Sequence, residues 1–186
     1  MNASRYGKSD VLAAAMRLLD DVGLPDLTMR KLAATLDVQP SALYWHFANK
    51  QSLLAEVSNT IVEFAKPVIR GKTWQERATL EALALRDALL AFRDGAEVVS
   101  STLALGLGAD TALTRIENAI DVGDAALAHA AAESILFLVL GQVWHEQQRM
   151  QANSLGVVDN LDLSGTPNLE IGIQLILSGV TEKVKA

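Results

Sequence analysis

Few side chains in this sequence are equipped for covalent or proton-transfer chemistry. Cysteine is absent, which excludes disulfides, thiolate nucleophiles and thiolate metal sites. There are three histidines, His46, His129 and His145, and no serine-centred elbow motif. His129 and Glu133 stand four apart on one predicted helix face, so they could pair or share a metal. His145 follows sixteen residues later and points roughly to the other side, which argues against a three-ligand site. The richer cluster is Tyr44-Trp45-His46, followed by Lys50. Three consecutive large, partly polar residues on a short helix cannot all be buried, because successive positions point about 100° apart. Each carries a donor able to reach a phosphate oxygen, and Lys50 adds a positive charge.

The elements that must position this cluster are legible between Thr28 and Lys50. Leu32, Ala33 and Leu36 mark the apolar side of one short helix, which Thr28 is placed to cap. Asp37 and Val38 fall in a tight connection. Gln39 is then predicted to cap a second helix, with Pro40 at its first position, where a missing N–H costs nothing. Leu43 and Phe47, four apart, face inward and leave Ser41, Ala42, Tyr44, Trp45 and His46 on the exposed start and flank. This is a helix-turn-helix whose second helix suits a DNA major groove. Paired short helices also occur in proteins that never meet DNA; the aromatic triplet tips the balance.

Around this unit the whole chain reads as helical. A first helix is predicted from Lys8 to Val22, ended by Gly23 and preceded by an arm from which Arg5 could reach a phosphate. Asn49 caps a connecting helix over about 49–66, stopped by Pro67 and Gly71. Thr73 to Glu76 forms a capping box opening a helix to about Arg93, and Asp94 is placed to cap a shorter one. Further helices start at Asp110 or Thr111, after Asp124 (to about Gln151), and at Thr166-Pro167 (to about Val184). The expected fold is all-α, with a three-helix DNA-binding head over 1–50 and a helical ligand-binding and dimerisation body over 67–186.

The LTMRKLA, LYWHF and NK-x-x-LL elements resemble the DNA-binding motif of the tetracycline-repressor family of bacterial regulators. FRDGAEV at 92–98 and PNLEIGIQLILSGV at 167–180 resemble sensor segments of its drug-responsive members. The resemblance implies a base contact from Arg30, whose guanidinium can bond guanine O6 and N7 together. It places Thr28, Tyr44, Trp45, His46 and Lys50 on the phosphate backbone, and Gln39, Pro40, Ser41 and Ala42 at base edges. Met29 stands where the family pattern has a small hydroxyl residue, so the sequence read is expected to differ. In the drug-responsive members a histidine ligates the drug's magnesium; Val99 stands there in this chain. Glu81 takes the place of a drug-orienting asparagine, Leu85 of an aromatic, Leu103 of an arginine, Ala119 of a glutamine and His145 of a glutamate. Valine cannot coordinate a hard cation, so magnesium-tetracycline is not the expected effector and no cofactor is implied. The predicted cavity is lined by Leu85, Val99, Thr102, Leu103, Ala119, Ile120, His129 and Phe137, with Trp144 or His145 near a dimer edge. Such walls suit a hydrophobic or aromatic molecule.

Self-association is expected from the last two long helices. Ile135 to Leu140, and the apolar residues between Ile171 and Val180, surround their helices rather than marking one stripe. A two-fold dimer through a four-helix bundle would bury both, with Gly172 and Gly179 allowing close approach, and would match a palindromic operator. The net charge is −6. Residues 1–50 carry six basic against five acidic side chains and the rest ten against seventeen, which suits a protein touching DNA through one end. No uninterrupted apolar run reaches the roughly 18 residues of a membrane span, and with Asp10, Arg17, Asp20 and Asp21 punctuating it the N-terminus does not look like a secretory signal. A cytoplasmic protein with no membrane partner is expected. The competing readings are an interaction module that has lost DNA binding and an enzyme using His129 with Glu133.

Overall fold

The computed structural model describes residues 6–68, 70–157 and 165–185, the side chains of 165–167 excepted. Arg5 and most of the loop before the last helix lie outside the described residues. Among these there are nine helices and no strand: α1 Lys8–Val22, α2 Met29–Thr35, α3 Pro40–Leu43, α4 Lys50–Phe64, α5 Trp74–Leu90, α6 Gly95–Ala104, α7 Asp110–Ala119, α8 Ala125–Ser154 and α9 Gly165–Lys185.

The head is built on a small apolar knot. Val11 and Leu19 of α1, Leu32 of α2, Leu43 of α3, Phe47 in the turn that follows it, and Leu53 of α4 are all essentially buried. Each such side chain contributes roughly 1.5–3 kcal/mol, enough to hold three short helices that would not persist alone. Gly23 ends α1 at φ 81°, a conformation costly for any residue with a Cβ, and its N–H donates to the Leu19 carbonyl. Thr28 caps α2 as expected, its Oγ1 accepting the Lys31 N–H at 3.1 Å. Asp37 makes the turn with φ 53°. Gln39 does occupy the N-cap position of α3, but its side chain makes no capping bond. Its long side chain does not fold back onto the first turn as a shorter Ser or Asp would. The second helix is also shorter than expected: after Leu43 the chain continues as a tight turn over 44–46, with the His46 and Phe47 N–H groups both donating to the Leu43 carbonyl at 3.0 Å.

α4 starts in the head and ends in the body. A reciprocal cap fixes its start, Asn49 Oδ1 accepting the Ser52 N–H while Ser52 Oγ accepts that of Asn49. It packs on α1 first, then on α5, α6 and α7. At its middle the Ser58 and Thr102 hydroxyls meet at 2.7 Å, both buried, joining α4 to α6. Asn59 Oδ1 accepts the Ala109 N–H at 2.8 Å, pinning the turn before α7.

In the body, Thr73 and Glu76 form the expected capping box. α5 stops at Leu90, short of Arg93, because the chain turns at 92–94 toward the head. Asp94 does not cap α6 with its side chain: it sits at φ 55° and gives its carboxylate to the Leu24 N–H at 2.7 Å instead. Gly95 is required beside it, since a Cβ there would stand 2.3 Å from the Leu89 carbonyl oxygen. α8 is the body's axis, packed on α5, α6, α7 and α9. By length and mean hydropathy (1.6) it could cross a membrane, although Gly141, Gln142 and scattered polar residues divide its apolar stretch. One side of it packs inside the protein, through Ile135, Leu136, Val139 and Val143. α9 turns Leu169, Ile173, Leu177 and Val180 toward the interior and leaves Ile171 and Leu175 outside. Gly172 serves packing within the chain, since a Cβ there would lie 2.9 Å from Leu138 Cδ2, whereas a Cβ at Gly179 would project into open space.

Candidate nucleic-acid interface and effector cavities

The exposed side of the head collects the residues singled out in the sequence. Arg30 stands in the first turn of α2, exposed, next to the capping Thr28. Gln39 and Ser41 are exposed at the start of α3, while Pro40, Ala42 and His46 are half-buried. Tyr44 is 50% and Trp45 88% exposed. An indole left in water forgoes roughly 2 kcal/mol of burial, so this surface is built for something other than the head's own stability. Leu43 and Phe47 anchor the same turn from beneath, which fixes the direction in which Tyr44 and Trp45 project. Lys50, at the start of α4, is half-buried with its Nζ 3.5 Å from the Leu24 carbonyl oxygen. Lys8 pairs with Glu56 and lies over the Phe47 ring at 5.5 Å, tying α1 to α4 behind the interface.

The residues predicted to line one cavity divide into three groups. Leu85, Val99, Thr102, Ala119 and Ile120 are buried and close-packed. Glu81 is engaged rather than open: its Oε2 accepts from Arg115 Nε and Nη2 at 2.9 and 2.6 Å, and its Oε1 accepts the Val68 N–H at 3.1 Å. Arg115 also donates to the Ala65 and Lys66 carbonyls at 2.6 and 3.0 Å, capping the C-terminal end of α4 from α7. His129 is exposed and pairs with Glu117 of α7 at 3.0 Å, not with Glu133. The hydrogen bond to Glu117 and that carboxylate's charge raise the His129 pKa, with a lesser contribution from Glu133. Glu133 borders a groove instead.

Leu103, Phe137, Trp144 and His145 do border cavities. Between α6 and α8 lies a space of about 450 Å³ edged by Glu97, Ser100, Phe137 and Trp144. An adjoining one of about 330 Å³ is bounded by Leu103, Leu113, Glu133 and Phe137. A third, about 400 Å³, runs past Phe137 and His145. Phe137, 58% exposed, is common to all three. Among the described residues, no group of three or more His, Asp or Glu side chains is arranged to hold a metal ion.

Sequence reasoning missed a junction between body and head. Besides the Asp94–Leu24 bond, the Arg93 N–H donates to Asp20 Oδ1 at 3.0 Å and its guanidinium to the Asp21 carbonyl at 3.1 Å. All three bonds span about seventy positions of sequence, so nothing local announces them. The only signal was Arg93-Asp94-Gly95 itself, a charged pair before a glycine in an otherwise helical stretch. Beside this junction is a cavity of about 390 Å³ whose walls include Leu90, Phe92, Asp94 and Met150.

Residues 11–57 match the family of bacterial regulatory proteins, tetR family. The chain is 35% identical over 162 residues to the class E tetracycline repressor protein of Escherichia coli, covering 84% of this chain and 76% of that one. It superposes on BioQ of Mycobacterium smegmatis with a TM-score of 0.86 at 40% identity, over 95% of this chain and 98% of that one. A structure of BioQ with its natural double-stranded DNA operator gives 0.79 at 38% identity over the same shares. A TetR variant from Acinetobacter baumannii AYE in complex with minocycline gives 0.77 at 30%, over 98% of this chain and 100% of that one.

Proposed function

The chain belongs to the tetR family of bacterial regulatory proteins, and from that premise we propose that it is a ligand-responsive transcriptional repressor. It binds a palindromic operator as a homodimer in the cytoplasm and is released by a hydrophobic or aromatic small molecule. The observation that carries this reading is the exposed Tyr44-Trp45 pair, aimed outward by buried Leu43 and Phe47, with Arg30 exposed at the start of α2. Arg30 reads a base, and Gln39, Pro40, Ser41 and Ala42 meet base edges. Thr28, Tyr44, Trp45, His46 and Lys50 hold the backbone and set register. The BioQ structure with operator DNA supports operator binding.

Exposed Phe137, Trp144, Ile171 and Leu175 on α8 and α9 support dimerisation through those two helices. For the effector, the relative in complex with minocycline supports a small-molecule ligand. Val99, buried among apolar neighbours, offers no oxygen or nitrogen to magnesium, and Glu81 is committed to Arg115, so the ligand is not magnesium-tetracycline. The grooves under Phe137, with Leu103 and Trp144 on their walls, are its point of entry; Leu85, Thr102, Ala119 and Ile120 would then repack around it. Release follows if the ligand binds the DNA-incompetent arrangement better than the competent one, with α4 carrying the difference to the head.

Titration of the full-length protein against DNA from upstream of its own gene, read by gel shift, tests the binding half. The parent is expected to form a salt-sensitive complex that Arg30→Ala weakens by about 10- to 100-fold, the worth of one bidentate base contact. No complex, or an Arg30→Ala protein indistinguishable from the parent, contradicts it.

A further inference from the structure

The cavity beside the head–body junction is separated in the fold from the grooves under Phe137, and its chemistry is different. Leu90, Phe92 and Met150 supply apolar wall, and Phe92 is steadied by an edge-on contact with Phe64, ring centroids 5.4 Å apart. Gln147 shapes the floor without offering a free group. Its amide donates to the Leu89 and Phe92 carbonyls at 3.1 and 2.8 Å and accepts the Ala96 N–H at 3.2 Å. The charged group with capacity to spare is Asp94. It is 8% exposed, and among the described residues the single hydrogen bond to its carboxylate is the one from the Leu24 N–H to Oδ2. A carboxylate has about four acceptor positions, so Oδ1 keeps acceptor capacity that no protein donor takes up among the described residues. No cation lies within ion-pair distance of it among the described residues. Arg93 borders the same cavity, yet its guanidinium is directed to the Asp21 carbonyl.

We propose that this cavity is a second small-molecule site that takes a protonated amine carried on an aromatic or aliphatic body, the ammonium pairing with Asp94 and the body lying against Phe92, Leu90 and Met150. A volume of about 390 Å³ falls in the range of small-ligand sites, and the Phe92 ring face adds attraction for a cation. Occupation reaches the head directly. The carboxylate that receives the amine is the one that holds the Leu24 N–H after α1, so the ammonium competes for charge that now ties body to head. The consequence for transcription rests on the repressor reading above; the site itself does not.

The test uses the full-length protein without DNA and three probes of nearly one shape, 3-phenylpropylamine, 3-phenylpropanol and 3-phenylpropionate, titrated by calorimetry and ligand-observed NMR. The amine is expected to bind saturably, the alcohol more weakly and the acid not at all. Asp94→Asn should weaken the amine about 10- to 100-fold, the loss of one charge-assisted bond, while leaving the alcohol unchanged. Met150→Trp, a change at a 43%-exposed position that fills the cavity without touching the junction, should remove binding of both. In the parent, the amine should also speed hydrogen exchange at the Leu24 amide. Binding of the acid as tight as that of the amine, equal binding by Met150→Trp, or no saturable amine binding would each overturn the site; unchanged Leu24 exchange would overturn its link to the head. A chain that binds the amine but no operator would refute the repressor reading and leave the site standing.

Discussion

Arg115 joins three helices through one guanidinium, and replacing it with methionine is the sharpest test of how the body holds α4. The side chain donates to Glu81 on α5 through two nitrogens and to the Ala65 and Lys66 carbonyls at the end of α4. Its side chain is 20% exposed and that of Glu81 12%, so the pair is shielded but not fully dry. Removing one member of a fully buried pair costs about 3–5 kcal/mol; partial solvent access lowers that to about 2–3 kcal/mol here. Methionine keeps most of the volume, so the loss reports the charge and the two uncapped carbonyls rather than a cavity. Urea unfolding at one fixed protein concentration measures it, the concentration mattering if the chain dimerises. In Glu81→Gln with Arg115→Met, no carboxylate is left stranded, and the combined loss should fall short of the sum of the singles by about 1–2 kcal/mol. An Arg115→Met protein within about 0.5 kcal/mol of the parent, the ordinary range for surface changes, or strictly additive losses, would refute the idea that this network fixes the end of α4.

Three further outcomes follow from single positions. Asp37→Gly, at φ 53° in the turn between α2 and α3, should raise stability by about 0.5 kcal/mol, relief of left-handed strain exceeding the entropy glycine adds to the unfolded chain; thermal unfolding reads it. His129 has its pKa raised above 6.5 by Glu117, so its contribution is fully present below about pH 6.5 and is lost as pH rises through the folded value. Parent and His129→Gln should therefore differ in stability at pH 6 and converge by pH 9, and a gap that widened with pH would refute the pairing. Leu175→Arg places a charge at a 71%-exposed apolar position of α9 and should convert dimer to monomer in sedimentation, whereas an unaltered dimer would move the interface elsewhere.

What the sequence disclosed, and what it withheld, follows from the range of the interactions involved. Helix starts marked by short polar caps were legible, as at Thr28, Asn49, Thr73 and Asp124, because the capping bond is local. Gln39 and Asp94 misled for opposite reasons: one side chain makes no capping bond, and the other is drawn away by a backbone N–H seventy positions distant. The inward set Leu32, Leu43 and Phe47 was readable from spacing alone, and with it the exposure of Tyr44 and Trp45. The effector side was less readable because pattern identifies apolar residues without saying which pack and which line a space. Val99 and Ile120 turn out buried, while Phe137 stands 58% exposed over the grooves. His129 had Glu133 at the right helical spacing, yet Glu117 on the neighbouring helix is the partner it meets.

Salt dependence of operator binding, measured by fluorescence anisotropy for the parent and for Lys50→Ala, tests the central claim most directly. If the head grips phosphates through the positions proposed, log K should fall steeply and linearly with log salt concentration, and Lys50→Ala should reduce the slope by about one. Affinity indifferent to salt, or a slope untouched by removing Lys50, would contradict a head docked on DNA through this face.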